Sequence, residues 1–284
     1  MLKEGSTLKR FEGKGVVVTG AGRGIGRATA ECFAAEGAGV VLLGPHADVL
    51  EEAAGGIRAT GGRAEIVVGD VSTRDDVRRS VEVSSAKFGH HDFMVANAGV
   101  AEFGPFLGGT DEVWLRQIRI NLMGTWLSVQ ESARQMIQEG HGGAIVVVSS
   151  INAFQPDEEG VIYNASKSGQ VAVMRTAAME LARYGIRVNG IAPGAVYTRL
   201  TSYVSNNPVE FKVFLDRTPM RRFAEPMEIA RPILYLCSDD ASFQTGDLMV
   251  VDGGYSVGMP VPGSADDSPA PRRPDLPGSG GLSA

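Results

Sequence analysis

Gly15-Val-Val-Val-Thr19-Gly20-Ala21-Gly22-Arg23-Gly24-Ile25-Gly26 is an apolar run that turns through a cluster of glycines into a helical pattern. Glycine is required where a backbone turns sharply and where a pyrophosphate must approach it closely. A helix that starts right after the turn presents free N–H groups and the positive end of its dipole to phosphate. The pattern sits near the start of the chain, where the first βαβ unit of a dinucleotide-binding sheet belongs. The other reading of the same residues is a purely structural glycine turn.

Working outward, apolar runs alternate with helical patterns. Strands are expected at Gly15–Thr19, Val40–Leu43, Ala64–Gly69, Phe93–Ala96, Ala144–Ser149, Arg187–Ala192 and Leu248–Val251. They are short, rich in valine and isoleucine, and bounded by glycine or aspartate, as strands buried on both faces of a parallel sheet are. Ser72-Thr-Arg-Asp75 reads as a capping box for a helix to about Phe88. Thr110 reads as the cap of a long helix to about Gln138, and Pro226 as the first turn of a helix to about Ser238. Pro232 should remove a hydrogen bond inside that last helix and kink it. The alternation predicts an α/β fold: a single doubly wound Rossmann-type domain with a central parallel sheet of about seven strands, covering residues 1–256. Residues 257–284 hold six prolines, five glycines and four serines, too little apolar surface to order by itself. That segment reads as a flexible tail, or as one that docks on a neighbouring subunit.

The 284 residues are 43% hydrophobic with a formal net charge of −6, and no long basic run occurs, which argues against nucleic acid as a partner. No stretch of about 18 apolar residues predicts a membrane span. The polar, charged Met1–Phe11 segment has no signal core, so a cytoplasmic location is expected. Cys32 and Cys237 lie in apolar helical patterns and read as buried free thiols. His46, His90, His91 and His141 show no ligand spacing with cysteines or carboxylates, so no metal is expected.

The chemistry-bearing segment is Tyr163-Asn-Ala-Ser-Lys167. Side chains four residues apart on a helix share a face. An isolated tyrosine titrates near 10, and a lysine beside it favours the phenolate and pulls that value toward the useful range. Spacing alone fits an amphipathic surface helix equally well.

Taken together, these segments resemble the short-chain dehydrogenase/reductase family, in its compact single-domain, 3-oxoacyl-thioester-reductase-like branch. The resemblance runs from about Phe11 to Gly254 and rests on motifs in order. Gly20, Arg23, Gly24, Ile25 and Gly26 match the family's cofactor loop. Asp70 and Val71 match the site that contacts adenine, and Asn97-Ala98-Gly99 the turn after the fourth strand, where Ala96 replaces a frequent Asn. Pro193, Gly194, Val196 and Thr198 lie in the loop that holds the nicotinamide, although Thr198 also reads as a plain helix cap. Ser150 stands thirteen residues ahead of Tyr163, the family's usual separation, and Ser149 beside it is an equal chemical candidate.

The resemblance implies an NAD(P)-dependent oxidoreductase interconverting a secondary alcohol and a ketone by hydride transfer. Tyr163 would be the acid/base and Ser150 the donor to the substrate oxygen. Lys167 would lower the Tyr163 pKa and bind the nicotinamide ribose, and Asn121 would hold a water in a proton relay behind it. Asn121 could also be only a structural bridge. Gly44 and Pro45 fill the positions where an aspartate selects NAD(H) or an arginine selects NADP(H). Arg23, with His46, tips the balance narrowly to NADP(H), and NAD(H) stays open.

The substrate pocket is expected from residues after Gly99 and Ser150 and from a lid at 197–222 with Tyr203, Phe211, Phe214 and Met220. Those lid residues fit helix core as well. Asp157-Glu158-Glu159 reads as a solvated loop, or as acids that favour a cationic group. Partners are then a small-molecule ketone or alcohol and further copies of the chain in a homo-oligomer, tetramer or dimer. The competing function is a catalytically silent dinucleotide-sensing regulator.

Overall fold

The strands follow the glycine and valine pattern closely. In the computed structural model, which describes residues 9–258, they are β1 (Gly15–Thr19), β2 (Gly39–Gly44), β3 (Arg63–Val68), β4 (Phe93–Ala96), β5 (Gly143–Val148), β6 (Ile186–Pro193) and β7 (Leu248–Val251). They pair in parallel in the order β3-β2-β1-β4-β5-β6-β7. The expected doubly wound seven-stranded sheet is present, and every expected strand boundary falls within one residue of the observed one. The helices are α1 (Gly24–Ala35), α2 (Ala47–Ala59), α3 (Arg74–Phe88), α4 (Asp111–Gln117), α5 (Gly124–Glu139), α6 (Val161–Leu181), α7 (Ser202–Ser205), α8 (Pro208–Arg217) and α9 (Pro226–Cys237).

Strand periodicity of two divides the core into two layers. Val16, Val18, Val40 and Leu42 pack on one face with Phe33 of α1 and Ile229 and Ile233 of α9. Val17, Val41, Leu43 and Met94 pack on the other with Val77, Leu127, Met136 and Met174 from α3, α5 and α6. Because β1 sits between β2 and β4, the chain winds outward in both directions from that pair. Crevices for ligands form at this switch point, outside the carboxyl ends of the strands.

Two local expectations change. The capping box at Ser72–Asp75 does not form. Instead the Asp70 carboxylate accepts from Ser72 N at 2.8 Å and Asp76 reaches back to Asp70 N at 2.9 Å, so an aspartate turn takes the amides before α3 begins. The long helix after Thr110 is capped as expected, by the Thr110 hydroxyl, but Ile118–Met123 is wound as a π-helix between α4 and α5. Such insertions cluster at functional sites. Pro232 lies inside α9 without ending it, and a Glu225/Glu228 capping box secures the helix start. Of the expected tail, residues 259–284 lie outside the described residues.

Candidate active site

Gly20 (φ 63°) and Gly24 (φ 54°) occupy the left-handed region, where only glycine is free of strain. Gly26 needs its missing side chain for a different reason. A Cβ there would lie 2.3 Å from the Gly20 carbonyl oxygen and 2.5 Å from Asn97 Nδ2. Arg23 is the exposed N-cap of α1, and no acidic residue occupies the first turn, so the positive end of the helix is not offset. The loop is held from β4. Asn97 Nδ2 donates to Thr19 O at 2.9 Å and Gly20 O at 3.3 Å, while Thr19 Oγ1 accepts from Asn97 N and Ala98 N. Asn97 therefore acts as a strut between the two strand ends. Thr198 closes the loop from the far side, its Cγ2 3.1 Å from where a Gly24 Cβ would stand. Thr198 is also the N-cap of a short 3₁₀ turn, as its second sequence reading expects.

At the neighbouring strand end the two serines separate. Ser149 Oγ donates to Lys167 O at 3.0 Å and is spent on helix α6. Ser150 donates to Asn152 Oδ1 at 3.1 Å and accepts from Asn152 N at 3.2 Å. Ser150, Tyr163 and Lys167 are all buried. The expectation that Lys167 lowers the Tyr163 pKa is not met in this geometry. Burial pushes the phenol up to about 12, with the neighbouring Ser150 hydroxyl opposing. Burial pushes the Lys167 ammonium down to about 8. Its Nζ stands over the ring, 5.5 Å from the centroid, and donates to Val148 O at 3.1 Å. Desolvation favours both neutral forms, so the pair alone does not make a phenolate.

Asn121 sits within the π-helical stretch with its amide fully committed. Its Oδ1 accepts from Val100 N and its Nδ2 donates to Val100 O, each at 2.9 Å, and also to Ser166 Oγ at 3.0 Å. The geometry displays a brace for the loop carrying Gly99 and Val100, the structural bridge the sequence also offered. Sequence reasoning missed Gln170. It lies on the same helix face as Ser166 and donates to Asn121 O at 2.8 Å and Thr125 Oγ1 at 2.7 Å, while its buried Oε1 has no partner. Its i+3 spacing from Lys167 was the available signal.

Of the other cofactor candidates, Gly194 N pairs with Val251 O at the end of β6, and Val196 buries its side chain in the core and offers only backbone. Val71 fills the space above Gly124, where a Cβ would lie 2.8 Å from Val71 Cγ1, and Asp70 stays exposed.

On the substrate side, Phe103 lies 5.6 Å from the Tyr163 ring and 6.0 Å from the Tyr203 ring. Phe211 and Phe214 are not on that wall. They pack on Phe223 at 5.0 and 5.9 Å and hold the lid helix in place. Asp157 accepts from Asn152 Nδ2 at 3.0 Å, which ties it to Ser150, whereas Glu158 and Glu159 are exposed. Glu159 carries φ 60°, a left-handed conformation kept in place as its carbonyl accepts from Gly104 N at 2.8 Å. Such a residue costs about 1–2 kcal/mol. Glu159→Gly is therefore expected to stabilise the fold by about 0.5–1 kcal/mol after the added freedom of the unfolded chain is counted. A fall in the thermal midpoint would show that the side chain does more than bear strain.

The family model described as "Enoyl-(Acyl carrier protein) reductase" matches residues 20–256. The L-rhamnose 1-dehydrogenase (NAD(P)(+)) of Sphingomonas sp. (strain SKA58) is 38% identical over 253 residues, 89% of this chain and 100% of the relative. The cis-4-hydroxycyclohexanecarboxylate dehydrogenase of Sinomonas cyclohexanicum is 40% identical over 249 residues, 87% of this chain and 98% of the relative. Among solved structures, a short-chain type dehydrogenase/reductase from Mycobacterium marinum superposes with a TM-score of 0.84 at 32% identity, covering 88% of this chain and 98% of that one.

Proposed function

The chain belongs to the short-chain dehydrogenase/reductase family, and on that premise we propose which of its residues carry the reaction. It is an NAD(P)-dependent oxidoreductase that interconverts a secondary alcohol and a ketone. In the proposed mechanism Tyr163 hands a proton to the carbonyl oxygen in reduction and removes it in oxidation. Ser150 donates a hydrogen bond to that oxygen as it gains negative charge. Lys167 holds the nicotinamide-ribose side and supplies positive charge when protonated. Asn121 and Gln170 position the loop at Gly99–Val100. The observation that carries this reading is the joint burial of Ser150, Tyr163 and Lys167 at the carboxyl edge of the sheet, with Lys167 Nζ 5.5 Å from the Tyr163 ring centroid.

The dinucleotide supplies the hydride when bound. The residues suit it: Gly20, Arg23, Gly24, Ile25 and Gly26 leave room for a pyrophosphate at the start of α1. Asp70 and Val71 are assigned to the adenine end, and Asn97, Ala98, Gly99, Pro193, Gly194, Val196 and Thr198 to the nicotinamide end. NADP(H) is the favoured form. β2 ends at Gly44 without a carboxylate, and Arg23 and His46 are exposed at the starts of α1 and α2. A charge-assisted hydrogen bond is worth about 1.5–3 kcal/mol. Arg23→Ala is thus expected to weaken NADPH roughly ten- to hundredfold in a fluorescence titration and to leave NADH nearly unchanged. Equal losses for both would overturn the preference.

A ring-shaped alcohol fits the site better than a long thioester. The support is the Phe103–Tyr203 aromatic wall beside the polar Asn152–Asp157–Asn164 cluster, with relatives named for rhamnose and a hydroxycyclohexane acid. A turnover panel of cyclic alcohols, aldoses and 3-oxoacyl thioesters with both cofactors tests it, and exclusive activity on thioesters would refute it. No turnover with intact cofactor binding would revive the silent sensor. The free thiols of Cys237, buried as expected, and Cys32, only partly buried, support a reducing, cytoplasmic location. Exposed Trp114, Leu115, Met123 and Trp126 around α4 and α5 support a homo-oligomer, tetramer or dimer, which light scattering would count.

A further inference from the structure

The amino ends of β4 and β5 lie at the edge of the sheet opposite Ser150 and Tyr163, and three potential ligands meet there. His90 lies in the turn between α3 and β4, Glu139 ends α5, and His141 follows it before β5. One donor atom from each stands within 4.8 Å of the other two. His141 Nε2 is 2.9 Å from Glu139 Oε2, and the two imidazole rings stand edge to face with centroids 5.0 Å apart. Both histidines are exposed, while Glu139 is partly buried.

The carboxylate is held in position. Glu139 Oε1 accepts from Gln135 Nε2 at 2.8 Å and Oε2 from His91 N at 3.0 Å. The loop that presents His141 is itself constrained. Gly140 and Gly142 have φ 77° and 75°, and a Cβ on Gly142 would meet the Gly185 carbonyl oxygen at 2.5 Å.

We propose that His90, Glu139 and His141 form a binding site for a divalent transition-metal ion of the Zn²⁺ type, clipping the α3–β4 turn to the α5–β5 turn. Two neutral imidazoles and one carboxylate form a set that suits zinc, with water in the fourth position, and that suits the oxygen-seeking Mg²⁺ and Ca²⁺ poorly. Zinc needs its ligand atoms about 2.0–2.2 Å away. The exposed imidazoles can rotate to that distance, and Glu139 is already oriented by partners of the kind that fix metal-bound carboxylates. The site lies away from the reacting groups, so its effect is on the two turns and not on hydride transfer.

Zinc chloride titrated calorimetrically into the full chain, prepared without an added histidine tag, should bind one ion per chain with micromolar or tighter affinity. The thermal midpoint should rise with metal concentration. His90→Gln and His141→Gln should each weaken binding by about tenfold or more, and both should keep wild-type turnover. With Cu²⁺ as a probe, paramagnetic resonance should report two imidazole nitrogens in the wild type and one in either variant. Binding weaker than about 1 mM (−4 kcal/mol at a 1 M standard state) would overturn the proposal. Affinity unchanged in the doubly substituted His90→Gln/His141→Gln chain would do the same, because it would place the metal elsewhere.

Discussion

Tyr163→Phe is expected to lower turnover by roughly 10²–10⁴-fold while leaving the dissociation constant for the dinucleotide within about twofold of wild type. The substitution removes one oxygen and keeps the ring that packs on Phe103, so the fold should persist. The cost arises because Ser150 can polarise the substrate oxygen but cannot deliver or accept the proton at neutral pH. Burial holds the Tyr163 phenol at about 12 in the protein alone. A buried Lys167 near 8 adds positive charge only at a pH below that value. Oxidised nicotinamide adds a positive charge nearby, which favours the phenolate. Ultraviolet titration should therefore find a phenol, absent in Tyr163→Phe, that titrates lower with oxidised dinucleotide than without it. Turnover of Tyr163→Phe near the wild-type rate would refute the acid/base assignment outright.

The second large effect is expected at Gly26. Gly26→Ala places a methyl group 2.3 Å from the Gly20 carbonyl and 2.5 Å from the Asn97 amide, and the backbone oxygen cannot move without breaking the turn. Overpacking of this kind costs about 1–3 kcal/mol. The same shift spoils the phosphate cradle, so dinucleotide affinity should fall by more than about tenfold, as for a loss of one good hydrogen-bonded contact. Gly55→Ala is the matched control. Gly55 is also inside a helix, α2, but a Cβ there meets nothing within 4 Å. It should stabilise the fold by about 0.5–1 kcal/mol through helix propensity. Differential scanning of the two variants checks the opposite signs. A Gly26→Ala protein with wild-type affinity for the dinucleotide would mean that the loop is looser than its packing implies.

The site was legible in the sequence where spacing and local chemistry carry the information. Tyr163 and Lys167 share a helix face, Ser150 ends a strand, and Gly20 to Gly26 bridge strand and helix; each is a short-range relation. What was misread depended on distant partners. The bonds of Asn121 to Val100 and Ser166 were not legible because they cross 21 and 45 residues. Phe211 and Phe214 looked like pocket lining because Phe223, the ring they pack on, carries no periodic signal of its own. Gln170 was overlooked because a glutamine inside a helix is ordinary until its partners are known.

The sequence by itself determined the seven strands, the burial of the central ones, the doubly wound order of the fold and the residues proposed to react. Those follow from hydrophobic period, glycine placement and residue type. Tertiary structure alone decided that the Ser149 hydroxyl is spent on Lys167 O, and that the lysine Nζ stands over the phenol ring, 5.5 Å from its centroid. It alone gathered His90, Glu139 and His141 from two separate turns. The physical reason is the same in each case. Direction and ionisation depend on what lies across the sheet, and a linear pattern does not record that.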